Sequence, residues 1–306
     1  MNDFTAYLQS KDLSQATQKL YNYNLNRFIK WFKNDPISCQ KKDVLNYLDY
    51  LQNKLNLQSI SRKTHLLALN YYFNFLGLKE VTSLIKLQGT KKKRLQYIFS
   101  NEELIQLQDD YYQSLIQNYE QNINHTEHHS RIILKSRQRN YVMLSFLVYQ
   151  GLATTELDLL HLSNIDFLKA NIKIERKGKQ RILQLQASQI GTLMNYIQQI
   201  RPQFLEDKEE TEKLFLPLSE RAFAGSKSNL SVRGVVRTLV TELKKLHPKL
   251  TKLTQLRTSV ITHWIKAEGL RKAQYFAGHK SIISTEEYLH NNLEELTDDL
   301  VKFNPF

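Results

Sequence analysis

The 306-residue chain is 41% hydrophobic and carries 43 Lys+Arg against 30 Asp+Glu, a formal net charge of +13. That length accommodates two domains with ordinary cores, and that charge is the electrostatic footprint of a protein that neutralises a phosphate backbone. A single cysteine, Cys39, excludes an internal disulfide and a multi-cysteine zinc site and fits a reducing cytoplasm, while no run of about 18 apolar residues and no signal-peptide pattern points to a membrane or to secretion.

The positive charge is concentrated early: residues 1–99 hold 16 Lys/Arg and 6 Asp/Glu, which dedicates this part to gripping nucleic acid. After Ser14 as N-cap, Tyr21, Leu25, Phe28, Ile29 and Phe32 form the apolar stripe of a helix that Asn34-Asp35-Pro36 stops. A second helix runs from around Lys42 to Lys54 on Val44, Leu45, Tyr47, Leu48 and Leu51. A third opens at Ser59 and runs through Leu66, Leu69, Tyr72, Phe73 and Leu76 to Gly77. The aromatic residues on these stripes are expected in a core, and Arg62 and Lys63, at the start of the third helix, are the candidate phosphate contacts. Residues 88–99 read as a basic linker whose Lys91, Lys92, Lys93 and Arg94 are candidate DNA contacts, because each phosphate neutralised releases counterions.

A capped helix starts again at Ser100-Asn101-Glu102-Glu103-Leu104. Residues 112–138 are polar and end basic; His125, His128 and His129, with only Glu127 as a carboxylate and no cysteine, make a poor metal set. Arg139 opens the run Tyr141 to Tyr149, a buried helix ending at Gly151 inside the segment Gln150-Gly151-Leu152-Ala153-Thr154-Thr155-Glu156-Leu157. Residues 171–176 and 181–185 read as strands joined by the hairpin Lys177-Gly178-Lys179-Gln180. Residues 202–213 read as a charged surface loop and 231–246 as a helix. Leu256, Val260, Ile261, Trp264 and Ile265 define another helix with Thr254 as N-cap and Arg257 in its first turn, where a cation is disfavoured unless an anion is present. Gly278-His279 follows, and Ser284 with Glu287 reads as a capping box that starts a short helix carrying Tyr288 in its first turns. Leu293, Leu296, Leu300 and Val301 give the tail an apolar stripe.

Tyr288, nine residues after His279, and Arg257 in its Leu-Arg helix start resemble the nucleophile and second-arginine motifs of tyrosine recombinases, the phage integrase family. The resemblance covers nearly the whole chain, with its specific motifs after residue 250. It implies a mainly α fold with a small antiparallel β-sheet: an N-terminal helical core-binding, SAM-like domain over 1–87, the linker over 88–99, and an α+β catalytic domain with a C-terminal tail over 100–306. It also implies site-specific recombination of double-stranded DNA in which Tyr288 forms a 3'-phosphotyrosyl intermediate. Arg257 and His279 hold the phosphate, and Lys177, or Lys179 in its stead, protonates the leaving 5' oxygen. The same resemblance implies no metal or nucleotide cofactor, and a homo-oligomer, a tetramer on DNA, in which the tail packs onto a neighbour unless it folds back in cis. The 112–138 stretch is an insertion relative to the family.

Two positions depart from the pattern. Thr254 stands where the family has a histidine and retains only a hydroxyl donor. Ala153 stands where the first arginine belongs; losing one donor to the transition state costs ~10²- to 10³-fold, so a replacement is expected, and Arg139 is the nearest in sequence. Two other readings remain: a disabled relative that binds DNA as an architectural or regulatory protein, and a type IB topoisomerase that shares the chemistry without pairing sites.

Overall fold

The computed structural model describes residues 2–87, 96–123, 128–176, 178–205, 211–217 and 231–289, and the chain divides into two compact units, Met1–Lys93 and Arg94–Phe306. The basic residues 91–94 and the tail stripe lie outside the described residues.

The first unit is helical: α1 (Asn2–Gln9), α2 (Gln15–Phe32), α3 (Lys41–Asn53) and α4 (Ser59–Phe75). Ser14 caps α2 by accepting from the Thr17 N–H at 3.2 Å, and Lys33, in the left-handed region at φ 60°, closes it. Phe4, Leu8, Leu25, Phe28, Tyr47, Leu51, Leu69 and Phe73 are buried together, so the aromatic stripes build the core. Leu45, counted on the apolar stripe of α3, is exposed, and α1 is a further helix, not among those expected, that buries Phe4 and Leu8 one turn apart.

The second unit packs helices around a small sheet. The anticipated capped helix is α5 (Asn101–Tyr111), which Ser100 and Glu103 close with a capping box. A π-helical segment, Tyr112–Gln117, α6 (Asn118–Asn122) and the first turns of α7 (His128–Tyr149) make the polar 112–138 stretch helical on both sides of residues 124–127, which are not described. After α8 (Thr154–Leu157) come β1 (Ile165–Asp166), β2 (Asn171–Arg176) and β3 (Lys179–Gln184), antiparallel in the order β1-β2-β3. Arg176 pairs with Lys179, so β3 starts two residues earlier than expected and only two residues are left for the turn, with Gly178 at φ 73°. α9 (Ala187–Asn195) runs on as a π-helical segment and a 3-10 turn, Arg201–Phe204. Phe204 is buried, so the stretch after Pro202 begins in the core and not as a surface loop.

α10 (Arg233–Leu246) follows, its first turn held by Asp158, which accepts from the Val232 N–H at 2.8 Å. α11 (Thr254–Ala277) breaks at Gly269 (φ 77°, ψ 167°). A straight helix would put Arg257 and Ala277 about 30 Å apart at 1.5 Å per residue. They are hydrogen-bonded at 2.6 Å, and the Trp264 and Phe276 rings meet at 5.4 Å, so the chain folds back at the break. α12 (Ile283–Glu286) is a single turn before Tyr288.

Candidate active site

The site is built around a buried carboxylate. Glu156, on α8, has a side chain 1% exposed and receives Arg181 in a two-pronged ion pair, Nη1 to Oε1 at 2.8 Å and Nη2 to Oε2 at 3.0 Å. Oε2 also accepts from the Ala153 N–H at 2.8 Å and lies 3.4 Å from Arg257 Nη1. Burial pushes the Glu156 carboxyl up, but Arg181, the Ala153 N–H and Arg257 together hold it below the usual carboxylate range. It is therefore charged at neutral pH.

Arg257 sits in the first turn of α11, as its spacing indicated, and is pinned across three chain segments. Nη1 donates to the Gly151 carbonyl at 2.5 Å and Nη2 to the Ala277 carbonyl, and the Tyr288 side chain is close enough to act on the guanidinium charge. Gly151 closes α7 at φ 53°, and a Cβ there would meet Val260 Cγ1 at 3.0 Å. Gly278 ends α11 at φ 68°, and a Cβ there would lie 2.7 Å from Arg181 Nη1; glycine is required both for the left-handed turn and for the guanidinium beside it.

His279 follows that glycine. Its Nδ1 meets the hydroxyl of buried Thr285 at 2.9 Å, so Nε2 is the nitrogen that can engage a phosphate or a phenol. Its ring stacks on Tyr288 with centroids 5.5 Å apart. Burial, then the charges of Arg257 and Arg181, push the imidazole down to about 4, against a smaller opposing pull from Glu156. The ring is neutral at pH 7. In the DNA-free protein, an NMR titration of the His279 ring is expected to show a midpoint near 4; a midpoint at 6.5 or above refutes this electrostatic picture. Because the folded value lies below the unfolded one, this group contributes stability that is full above pH ~6.5 and is lost as pH falls towards 4.

Three expectations change at this site. α12 starts at Ile283 with Ile282 as its N-cap, because Ser284 and Thr285 donate their N–H groups to Ser281 and Ile282; Ser284 is thus inside the turn, Glu287 ends it and Tyr288 follows it. Leu253, not Thr254, is the N-cap of α11 with no side-chain cap, and the Gln255 side chain turns back to the preceding loop, accepting from the Thr251 N–H at 2.6 Å and the Lys252 N–H at 3.1 Å. Thr254 is exposed, one turn before Arg257. Arg139 is spent elsewhere. Only 3% exposed, it donates to the Leu216 carbonyl at 2.8 Å and to Asn140 Oδ1, with its guanidinium over the Phe204 ring, and the structure does not bring it to Glu156.

Tyr288, Arg257 and His279 are thus brought together. Lys177 is outside the described residues, and Lys179 is exposed at the start of β3. In the first unit Lys63 is exposed and Arg62 donates to Gln52 Oε1 at 2.5 Å. Among the described residues no three His, Cys, Asp or Glu side chains are grouped to hold a metal ion, and no helix is long and apolar enough to cross a membrane. Sequence reasoning passed over Arg181 and Glu156. The signal was present: Arg181 shares its strand parity with buried Leu183 and Leu185, and an arginine on the inward face of a strand needs a carboxylate.

The profile of the phage integrase N-terminal SAM-like domain matches residues 1–82, and that of the phage integrase family matches residues 106–295. Tyrosine recombinase XerC of Oceanobacillus iheyensis is 27% identical over 100% of this chain and 95% of its own length. Tyrosine recombinase XerD of Staphylococcus aureus is 32% identical over 55% of each chain. Among solved structures, the XerH site-specific recombinase bound to its difH substrate in a pre-cleavage complex matches with a TM-score of 0.67 at 17% identity, covering 95% of this chain and 81% of that one. A lambda integrase dimer bound to a COC' core site matches at 0.58 and 13% identity, covering 94% and 75%. Those two likenesses speak for the fold, and the profile, which takes in α8, β3 and α11 with every residue gathered on Glu156, decides the family: the chain belongs to the phage integrase family, the tyrosine recombinases.

Proposed function

We propose that this chain cuts and rejoins duplex DNA at specific sites with Tyr288 as the nucleophile. The observation that carries the reading is the convergence of Tyr288, His279 and Arg257 beside one buried carboxylate, in the catalytic unit of a strongly basic chain. The Tyr288 oxygen attacks the phosphorus and the O5'–P bond breaks. The phenol proton passes to neutral His279 or to water, and the leaving 5' oxygen takes a proton from Lys177, with Lys179 as the fallback. A 5' hydroxyl then attacks the phosphotyrosyl bond and releases the tyrosine. Arg257 meets the charge that builds on the non-bridging oxygens, and Thr254, one turn earlier, supplies a hydroxyl donor. The covalent intermediate conserves the phosphodiester energy, so neither step draws on a metal or a nucleotide. Nicked suicide substrates tiled across the DNA flanking the gene test this directly: a protease-sensitive covalent adduct is expected, and none on any substrate overturns it.

The absent side chain at Ala153 favours a second reading, a DNA-binding relative that no longer cleaves; duplex binding without any adduct selects it. In either case Arg62, Lys63 and Lys91 to Arg94 grip phosphates. Replacing Lys91, Lys92, Lys93 and Arg94 by Ala is expected to weaken binding on all sequences and to flatten the log K against log salt slope by up to about 4. A loss confined to one sequence would mean that these residues read bases. Residues 290–306 are proposed to join neighbouring protomers in a tetramer on DNA, which sedimentation of the DNA complex with and without that segment checks.

A further inference from the structure

The family's first arginine is missing at Ala153, yet a second guanidinium reaches the same carboxylate. Ala153 N, Arg181 Nη2 and Arg257 Nη1 all converge on a single oxygen, Glu156 Oε2. Arg181 is therefore beside the backbone of residue 153, although it comes from β3. It is 5% exposed and doubly anchored, by Glu156 and by its Nε donating to the Phe276 carbonyl at 2.8 Å. Gly278, one residue before His279, leaves the space its Nη1 occupies. Two arginines in the middle of α7 are engaged elsewhere: Arg139 in the core, and Arg137 on the Leu115 carbonyl, on Glu242 and over the Tyr119 ring.

The charge count explains why this matters. Glu156 alone with Arg257 would be a neutral pair, leaving a phosphate facing no net positive charge. With Arg181 holding both oxygens of Glu156, the cluster of one carboxylate and two guanidinium groups is net positive by one, and Arg257 keeps only its long 3.4 Å approach to Oε2. We propose that Arg181 stands in electrostatically for the arginine absent at Ala153, acting as a positioning residue that neutralises Glu156 so that the charge of Arg257 is available to the scissile phosphate. This rests on the cleavage chemistry proposed above.

The test compares the full-length wild type with R181K, R181Q, R181Q/E156Q and R181Q/A153R. Each is assayed in single-turnover cleavage of the suicide substrates and by His279 ring titration without DNA. R181Q lowers cleavage ~10²-fold or more, as loss of a transition-state charge does, whereas R181K stays within about 10-fold of wild type. Both double variants restore the net charge, one by neutralising the carboxylate and the other by returning a cation to residue 153, and both recover at least ~10-fold over R181Q. The His279 midpoint rises in R181Q and falls back in the two doubles. Wild-type cleavage by R181Q, or folded doubles no faster than folded R181Q, overturns the proposal, since a purely structural pair is not mended by restoring charge. If R181Q does not fold, R181Q/E156Q decides, with no unpaired carboxylate left: within about 10-fold of wild type supports the proposal, and a ~10²-fold deficit overturns it. A wild type that cleaves nothing defeats the cleavage chemistry and leaves this inference to the titration, where a rise in R181Q reversed in both doubles supports it and any other pattern overturns it.

Discussion

Tyr288→Phe is expected to bind duplex DNA with unchanged affinity and to form no covalent adduct, a loss of at least ~10⁴-fold on the scale seen when a nucleophile is removed. The substitution deletes one oxygen and leaves the ring that stacks on His279 at 5.5 Å, so neither the turn after α12 nor the fold depends on it. Arg257 keeps its bonds to the Gly151 and Ala277 carbonyls. An adduct formed by the Phe variant at more than a trace would show that another residue attacks. A variant that neither binds nor cleaves would show that the hydroxyl has a structural task that the described contacts do not contain.

Glu156→Ala is expected to have the largest effect on stability. It strands the Arg181 guanidinium in a site where that side chain is 5% exposed, and it removes the acceptor that the Ala153 N–H and Arg257 share. Breaking a buried pair by deleting one partner costs about 3–5 kcal/mol, because the remaining charge is desolvated and unpaired. For a unit of this size that lowers the melting temperature by roughly 6–20 °C. A shift of under about 2 °C would mean that the pair is worth little. The effect is signed in pH. The Glu156 carboxyl is held below its ordinary value in the folded chain, so its contribution is full at neutral pH and is lost only as pH falls through that lower folded value. The difference between wild type and Glu156→Gln should therefore narrow in strong acid and remain constant above about pH 5.

Much of the fold was legible because it is written locally. Ser14, Ser100 with Glu103, and Gly77 mark helix ends by short-range hydrogen bonds or torsions, and the apolar periods of α2, α4 and α11 place their buried faces. The candidate site divides differently. Arg257, His279 and Tyr288 belong to motifs of fixed spacing, whereas the Arg181–Glu156 pair spans β3 and α8, so that the inward strand parity of Arg181 calls for a carboxylate without naming which one. Arg139 failed for the same reason: closeness in sequence to Gly151 says nothing about where a side chain halfway along a 22-residue helix finds its partners. Ser284 and Thr285 illustrate the limit at single-residue scale. Both have a hydroxyl beside the same turn, and only the packing decides that Thr285 is the buried one that holds the imidazole.

The break at Gly269 has a topological consequence. Its Cβ direction is open, so space is no obstacle to a side chain; the φ of 77° is what only glycine adopts easily. The two backbone torsions of one residue therefore decide whether residues 254–277 form a hairpin or a rod. In the hairpin Arg257 and Ala277 touch, and in the rod they are about 30 Å apart with every helical hydrogen bond still made. Helix content and site assembly are thereby uncoupled: circular dichroism of a chain with the rod would look native while the length of the helix separated Arg257 from the segment that carries Tyr288.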